Sequence, residues 1–114
     1  MPKSLDTLYG KGTSKAFAKA CGGTTVEAEV DNGTRVYVEW EDGSNMKIDC
    51  SPETVHFHSL DSKREGLYTD LCNTLPDFFK KRGVKTFTAQ PANAEAEAIL
   101  RKRGDWDEDM RWSL

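Results

Sequence analysis

The 114-residue chain has no apolar run near the ~20 residues that a bilayer-spanning helix requires, and its opening residues hold no apolar stretch of the signal-peptide kind. These absences predict a non-membrane protein that works in the cytoplasm. Cysteine is sparse: Cys21, Cys50 and Cys72 are odd in number, far apart and free of any Cys-x-x-Cys spacing. Three ordinary thiols in a reducing compartment are the expectation. Histidine occurs only as His56 and His58, so a metal centre would need further ligands such as Asp49 or Asp61; no tight cluster supplies them and no metal is expected. A surplus of positive charge is missing too, the net charge being −3. Lys80-Lys81-Arg82 and Arg101-Lys102-Arg103 each close a predicted helix just before a glycine, where cations complement the helix dipole. Nucleic-acid binding is therefore not expected. Gly10-Lys11-Gly12-Thr13 lacks both the preceding strand and the glycine-to-lysine spacing of a nucleotide-binding loop.

What is present reads as one globular domain. Hydrophobic residues make up 37% and charged residues 31%, and the length suffices for a single core without staples. Residues 1–23 are rich in Gly, Ser and Lys and predict a lysine-rich arm with one short helix, Ser14 to Cys21, stopped by Gly22-Gly23. The main domain is expected over 24–114.

From Thr24 the apolar period becomes two. Val26, Ala28 and Val30 alternate with polar residues; after the hairpin signal Asp31-Asn32-Gly33, Val36, Val38 and Trp40 do the same. Two antiparallel strands sharing one apolar face are expected. Asp42-Gly43 turns the chain into a third strand with Met46, Ile48 and Cys50 inward, and Ser51-Pro52 into a fourth, Thr54 to Leu60, with Val55 and Phe57 on one side and His56 and His58 on the other. This is a four-stranded meander.

Helical spacing follows Asp61. Leu67, Tyr68, Leu71, Cys72, Leu75, Phe78 and Phe79 form one stripe of a helix expected over 63–82, with Pro76 placed to kink it and Gly83 to stop it. Val84 to Ala89 reads as a fifth strand, and a strand–helix–strand crossover predicts that strands four and five run parallel. A second helix, Asn93 to Arg103, and a closing strand at Met110 to Ser113 complete an α+β fold. Its meander continues into a mixed sheet with helices after strands four and five.

Asn93, Ala96, Ile99, Leu100 and Gly104 are spaced like the final helix of the GNAT acetyl-CoA-dependent N-acetyltransferases, and Lys63-Arg64-Glu65-Gly66-Leu67-Tyr68 resembles that superfamily's pyrophosphate loop, Gln/Arg-x-x-Gly-x-Gly/Ala. The resemblance covers roughly residues 34 to 114. It implies a reduced GNAT-like fold, similar to the very small acetyltransferases of phages and mobile elements, and hence a phage protein in the host cytoplasm or the virion. It also implies acetyl-CoA as acyl donor, held by Leu60, Lys63, Arg64, Glu65, Gly66, Leu67 and Tyr68, with Asn93 on the pantetheine arm. Such an acyltransferase would act on a protein or small-molecule amine, with His58 or His56 as general base.

Three departures from the pattern point the other way. Tyr68 stands where a second small residue lets the backbone approach phosphate, Glu65 adds a carboxylate, and Leu100 stands where the family often places a proton-donating Tyr. Ser62-x-x-Glu65 also reads as a capping box that would satisfy the helix amides internally. The alternative expectation is a non-catalytic GNAT-fold interaction or structural protein, such as a phage particle component with a protein assembly partner.

Overall fold

The computed structural model describes residues 4–91, 94–102 and 106–114. Two helices open it, α1 (Leu5–Tyr9) and α2 (Thr13–Cys21), followed by strands β1 (Thr24–Val30), β2 (Gly33–Glu39), β3 (Asn45–Cys50) and β4 (Thr54–Asp61). Helix α3 (Leu67–Lys80), strand β5 (Thr86–Ala89), helix α4 (Ala94–Lys102) and strand β6 (Arg111–Ser113) complete the chain. The six strands form one mixed sheet in sequence order; every pairing is antiparallel except β4 with β5, which is parallel. The expected meander, crossover and closing strand are all present. Expected Asn93, Arg103 and Gly104 lie outside the described residues.

Local chemistry explains the element boundaries. Ser4 caps α1, its hydroxyl accepting from the Thr7 amide at 3.1 Å, and Asp6 accepts from the Ser14 amide at 2.8 Å to tie α1 to α2. The stretch expected to be an arm with one helix thus carries two. Its Leu5, Phe17 and Cys21 are buried in the same core as the sheet. Gly33 is required by contact rather than by torsion, because a Cβ there would sit 1.7 Å from the Cys50 carbonyl oxygen. The α3 stripe buries as expected, Pro76 being buried inside a helix that runs on to Lys80.

The core lies on one face of the sheet. Val36, Val38, Met46, Ile48, Val55, Phe57 and Phe87 meet Leu5 and Phe17 from the N-terminal helices and Leu71, Leu75 and Phe79 from α3. Aromatic contacts run through it in a chain, Phe17 to Phe79 at 5.7 Å, Phe79 to Phe87 at 6.4 Å and Phe87 to Trp106 at 5.7 Å. Helix α4 packs beside α3 and contributes Leu100, which is 1% exposed.

β1 departs from its expected orientation. The hairpin turns on two residues, Asp31 and Asn32, which pairs Val26 with Tyr37 and Ala28 with Arg35. Paired residues share a face, so the apolar side of β1 is turned away from the Val36–Val38 side of β2. Val26 is 62% exposed, and it is Glu27 that faces the helices, accepting the Leu5 amide at 2.7 Å. The expected shared apolar face does not form because a two-residue turn couples even positions of β1 to odd positions of β2.

The burial pattern sets a stability contrast. Leu71→Ala, at 3% exposure, should cost about 2–5 kcal/mol. Thr74→Ala on the exposed side of α3 and Val26→Ala on β1 should each stay within about 0.5 kcal/mol of the parent in urea unfolding. Similar losses at Leu71 and Val26 would place β1 the other way round.

Candidate functional site

The pairing of β4 with β5 is short. It runs from Thr54 beside Thr86 to Phe57 beside Ala89, and a last backbone bond joins the Gln90 amide to the Phe57 carbonyl at 3.2 Å. Beyond it β4 continues through Ser59, Leu60 and Asp61, whereas the chain after Gln90 turns off at Pro91, which has no N–H to extend a ladder. Between them opens a cleft of about 640 Å³. Phe57, Leu60, Tyr68, Ala96 and Ile99 give it an apolar lining, while Asp61, Arg64, Glu65 and Glu95 line it with charge.

The first turn of α3 borders this cleft. Gly66 is its N-cap, at φ +85°, a conformation that favours glycine, and a Cβ there would meet nothing within 4 Å. No side chain caps the helix. Its first described backbone bond runs from the Asp70 amide to the Gly66 carbonyl at 2.9 Å, so the amides of Leu67, Tyr68 and Thr69 precede the helical ladder. The expected capping box is not formed: the Ser62 hydroxyl donates instead to the Arg64 carbonyl at 2.6 Å, and the helix starts too late for Ser62 to reach its amides.

The other loop residues divide by role. Lys63 donates its amide to the Ser44 hydroxyl at 2.8 Å and pairs with Asp61 at 3.3 Å; Arg64 pairs with Asp42 at 3.6 Å. These pairs are largely exposed and worth little individually, which leaves both cations free to re-pair with an anion. Glu65 is exposed in the cleft lining, Leu67 is core and Leu60 is half-buried. Tyr68 lays its ring 5.6 Å from Phe57, and burial pushes its phenol up to about 12. It therefore keeps its proton at neutral pH.

The two histidines occupy the uncovered face of the sheet, not the cleft lining. His56 lies in a row across neighbouring strands, Arg35, Asp49, His56 and Thr88. Arg35 grips Asp49 with two bonds of 2.6 and 3.1 Å and holds its carboxyl below the ordinary carboxylate range. His56 Nδ1 is 2.7 Å from the Thr88 hydroxyl. Burial, then the nearby His58, lowers the His56 pKa below 6.5, against the opposing pull of Asp49 and a hydrogen bond with the Gln90 side chain. His58 sits where the β3–β4 register slips, between Phe57 opposite Ile48 and Ser59 opposite Lys47. Its ring is 5.9 Å from that of His56, and its buried Nδ1 has no partner among the described residues.

Gln90 and Ser59 were missed in the sequence and matter most to this geometry. Gln90 touches both the cleft and His56, and so joins the two faces of the sheet. A polar residue just before Pro91, at the end of the strand after the crossover, was the available signal. Arg35 was likewise missed; Asp49 was considered only as a possible metal ligand, and its pairing with Arg35 was not foreseen.

The lowered His56 pKa has a sign. The unfolded chain takes up the proton near pH 6.5 while the folded chain resists it, so stability is full above that value and is lost as pH falls towards the folded pKa. Urea midpoints should therefore decline between about pH 7 and 5, and His56→Asn should flatten the decline. Asp49, held below the ordinary carboxylate range by Arg35, leaves this window clear. An unchanged slope in the variant would contradict the assignment. No protein-family model, curated protein or solved structure matches the chain.

Proposed function

We propose that the chain is a reduced GNAT-like acyltransferase that takes acetyl-CoA in the β4–β5 cleft and acetylates an amine. The observation that carries this reading is the coincidence of three features at one place. A parallel strand pair separates after four residues, a cleft with apolar and charged walls opens at the split, and an uncapped helix start with an open glycine stands at its edge. Free amides and the helix dipole favour a diphosphate, and the unfilled space beside Gly66 is where an added Cβ would obstruct one. The residues present thus fit the group.

Leu67, Tyr68 and Thr69 would hold the diphosphate by their amides, with Lys63 and Arg64 leaving their surface carboxylates to pair with it. Leu60, Phe57 and Ile99 would line the path of the apolar arm. Acetyl-CoA supplies an acetyl group activated as a thioester. Tyr68 offers a neutral phenol inside the cleft as a hydrogen-bond donor, whereas Leu100 is buried and has no proton to give. His56, kept neutral by its lowered pKa, is the proposed base, hydrogen-bonded with Gln90 of the cleft lining. Asn93 lies outside the described residues, and its part in the reading rests on the resemblance alone.

The second reading, a non-catalytic interaction or structural protein of the same fold, draws on Tyr68. Its ring packs on Phe57 and fills space beside the loop, and Glu65 adds a like charge to any phosphate there. The two readings part on affinity. If the cleft is a working site, acetyl-CoA at 100 times its Kd stabilises the fold by about 2.7 kcal/mol, which for this length raises Tm by roughly 10 °C. The desulfo analogue should act similarly and the dephospho analogue less. Absence of any shift at millimolar acetyl-CoA would leave the non-catalytic reading standing.

A further inference from the structure

Among the described residues only two large hydrophobic side chains are exposed, Val26 at 62% and Tyr37 at 43%. Both line one hollow of about 300 Å³ on the uncovered face of the sheet. Isolated exposed apolar residues need no explanation, but a pair that concentrates in one concavity does. The register places them in a row: Val26 beside Tyr37, Tyr37 beside Lys47, and Lys47 beside Ser59. Ser59 reaches this row because the register slip at His58 moves it opposite Lys47. It lines both the hollow and the cleft on the helix side.

The row is graded in chemistry. It starts at the junction with the cleft, passes an ammonium that belongs to none of the ion pairs among the described residues, and ends on an aromatic and a branched apolar side chain. Neighbouring strands are ~4.8 Å apart, so the path from Ser59 to Tyr37 is on the order of 10 Å. At ~30 Å³ per water the hollow holds about ten water volumes, enough for one small molecule and too little for a folded surface.

We propose that this hollow is the acceptor subsite and that the acceptor is a hydrophobic α-amino acid; the acceptor role rests on the acyltransferase reading above. The amine lies at Ser59, the carboxylate pairs with Lys47, and the side chain covers Tyr37 and Val26. An α-amino acid carries its amine and carboxylate together on one carbon, as Ser59 and Lys47 stand together at the polar end of the row, and its side chain extends towards the apolar end. A lysine side chain fits it poorly, since its ammonium would have to pass the Lys47 cation to reach the split. In the transfer the unprotonated amine nitrogen forms the new C–N bond, and the thioester C–S bond breaks with its electron pair leaving on sulfur. The amine's proton is taken up by His56, beside which Gln90 stands as a hydrogen-bond partner.

The test is an NMR titration of the full chain with L-phenylalanine, phenethylamine and Nα-acetyl-lysine methylamide, each without acetyl-CoA. L-Phenylalanine should shift the Tyr37, Lys47 and Ser59 amides and the Val26 methyls, and bind at least tenfold more tightly than phenethylamine, which lacks the carboxylate. Lys47→Gln, an exchange on the uncovered face, should abolish that preference, and Tyr37→Ala should weaken both ligands. Preference for the lysine derivative, equal binding of phenylalanine and phenethylamine, or no shift at about 10 mM, tenfold above a millimolar Kd, would overturn the proposal. Acetyl-CoA binding is measured separately. If acetyl-CoA binds and phenylalanine does not, the amino-acid acceptor falls alone; if phenylalanine binds and acetyl-CoA does not, the acyltransferase reading falls and takes the acceptor role with it.

Discussion

The molecule depends on the parallel contact between β4 and β5. Among the described residues it is the single parallel pairing in the sheet, and it joins the meander to the part of the chain made of α3, β5, α4 and β6. A parallel pair needs a crossover, here the α3 segment, which must cover the sheet to bury Leu71, Leu75 and Phe79. The contact ends at Phe57 and Ala89 because the chain after Gln90 meets a proline and departs into α4 while β4 goes on. A sheet whose strands part in this way exposes backbone and side chains from both faces at one point. The cleft, the start of α3 and the Gln90–His56 contact all derive from that parting.

Much of the fold was legible because strong periodicities coincide with turn chemistry. The α3 stripe, the crossover with its parallel β4–β5 pairing and the antiparallel pairings of β1 to β4 followed from apolar spacing and turn residues. The orientation of β1 was not read correctly, although the information was present. Apolar alternation identifies a strand but not which face it buries, and only the length of the Asp31–Asn32 turn fixes the parity. Of the N-terminal helices, α2 was expected from Ser14 to Cys21 and stands at Thr13–Cys21, whereas α1 and the burial of this segment in the core escaped for another reason. Leu5 and Phe17 are isolated apolar residues among lysines and small residues, and their burial comes from the sheet they pack against rather than from a local stripe.

The site was legible in outline and mistaken in detail. Gly66 was singled out and does stand at the helix start, but Ser62 was given to capping when its hydroxyl serves the Arg64 carbonyl. A three-residue spacing is satisfied by many loops, and only the actual start of the helix decides whether it caps. The histidines were placed on the polar side of their strand correctly. What spacing could not show is that the register slip at His58 turns Ser59 to face Lys47, since a bulge changes the face of every residue beyond it.

Electrostatics bind these observations together. Two carboxylates hold the cations near the cleft, Asp42 with Arg64 and Asp61 with Lys63, in exposed pairs that water and salt already weaken. A phosphate carrying more charge than a carboxylate would compete well for the same cations, and the carboxylates it displaced would remain in water. Arg35 and Asp49 behave differently: two short bonds hold them together, and His56 and His58 stand beside the carboxylate. That pair fixes the row on which His56 sits, while the labile pairs lie where a charged ligand would enter. A rigid ion pair thus lies beneath the histidines and exchangeable pairs lie at the cleft, and it is on this division that the proposed reading draws.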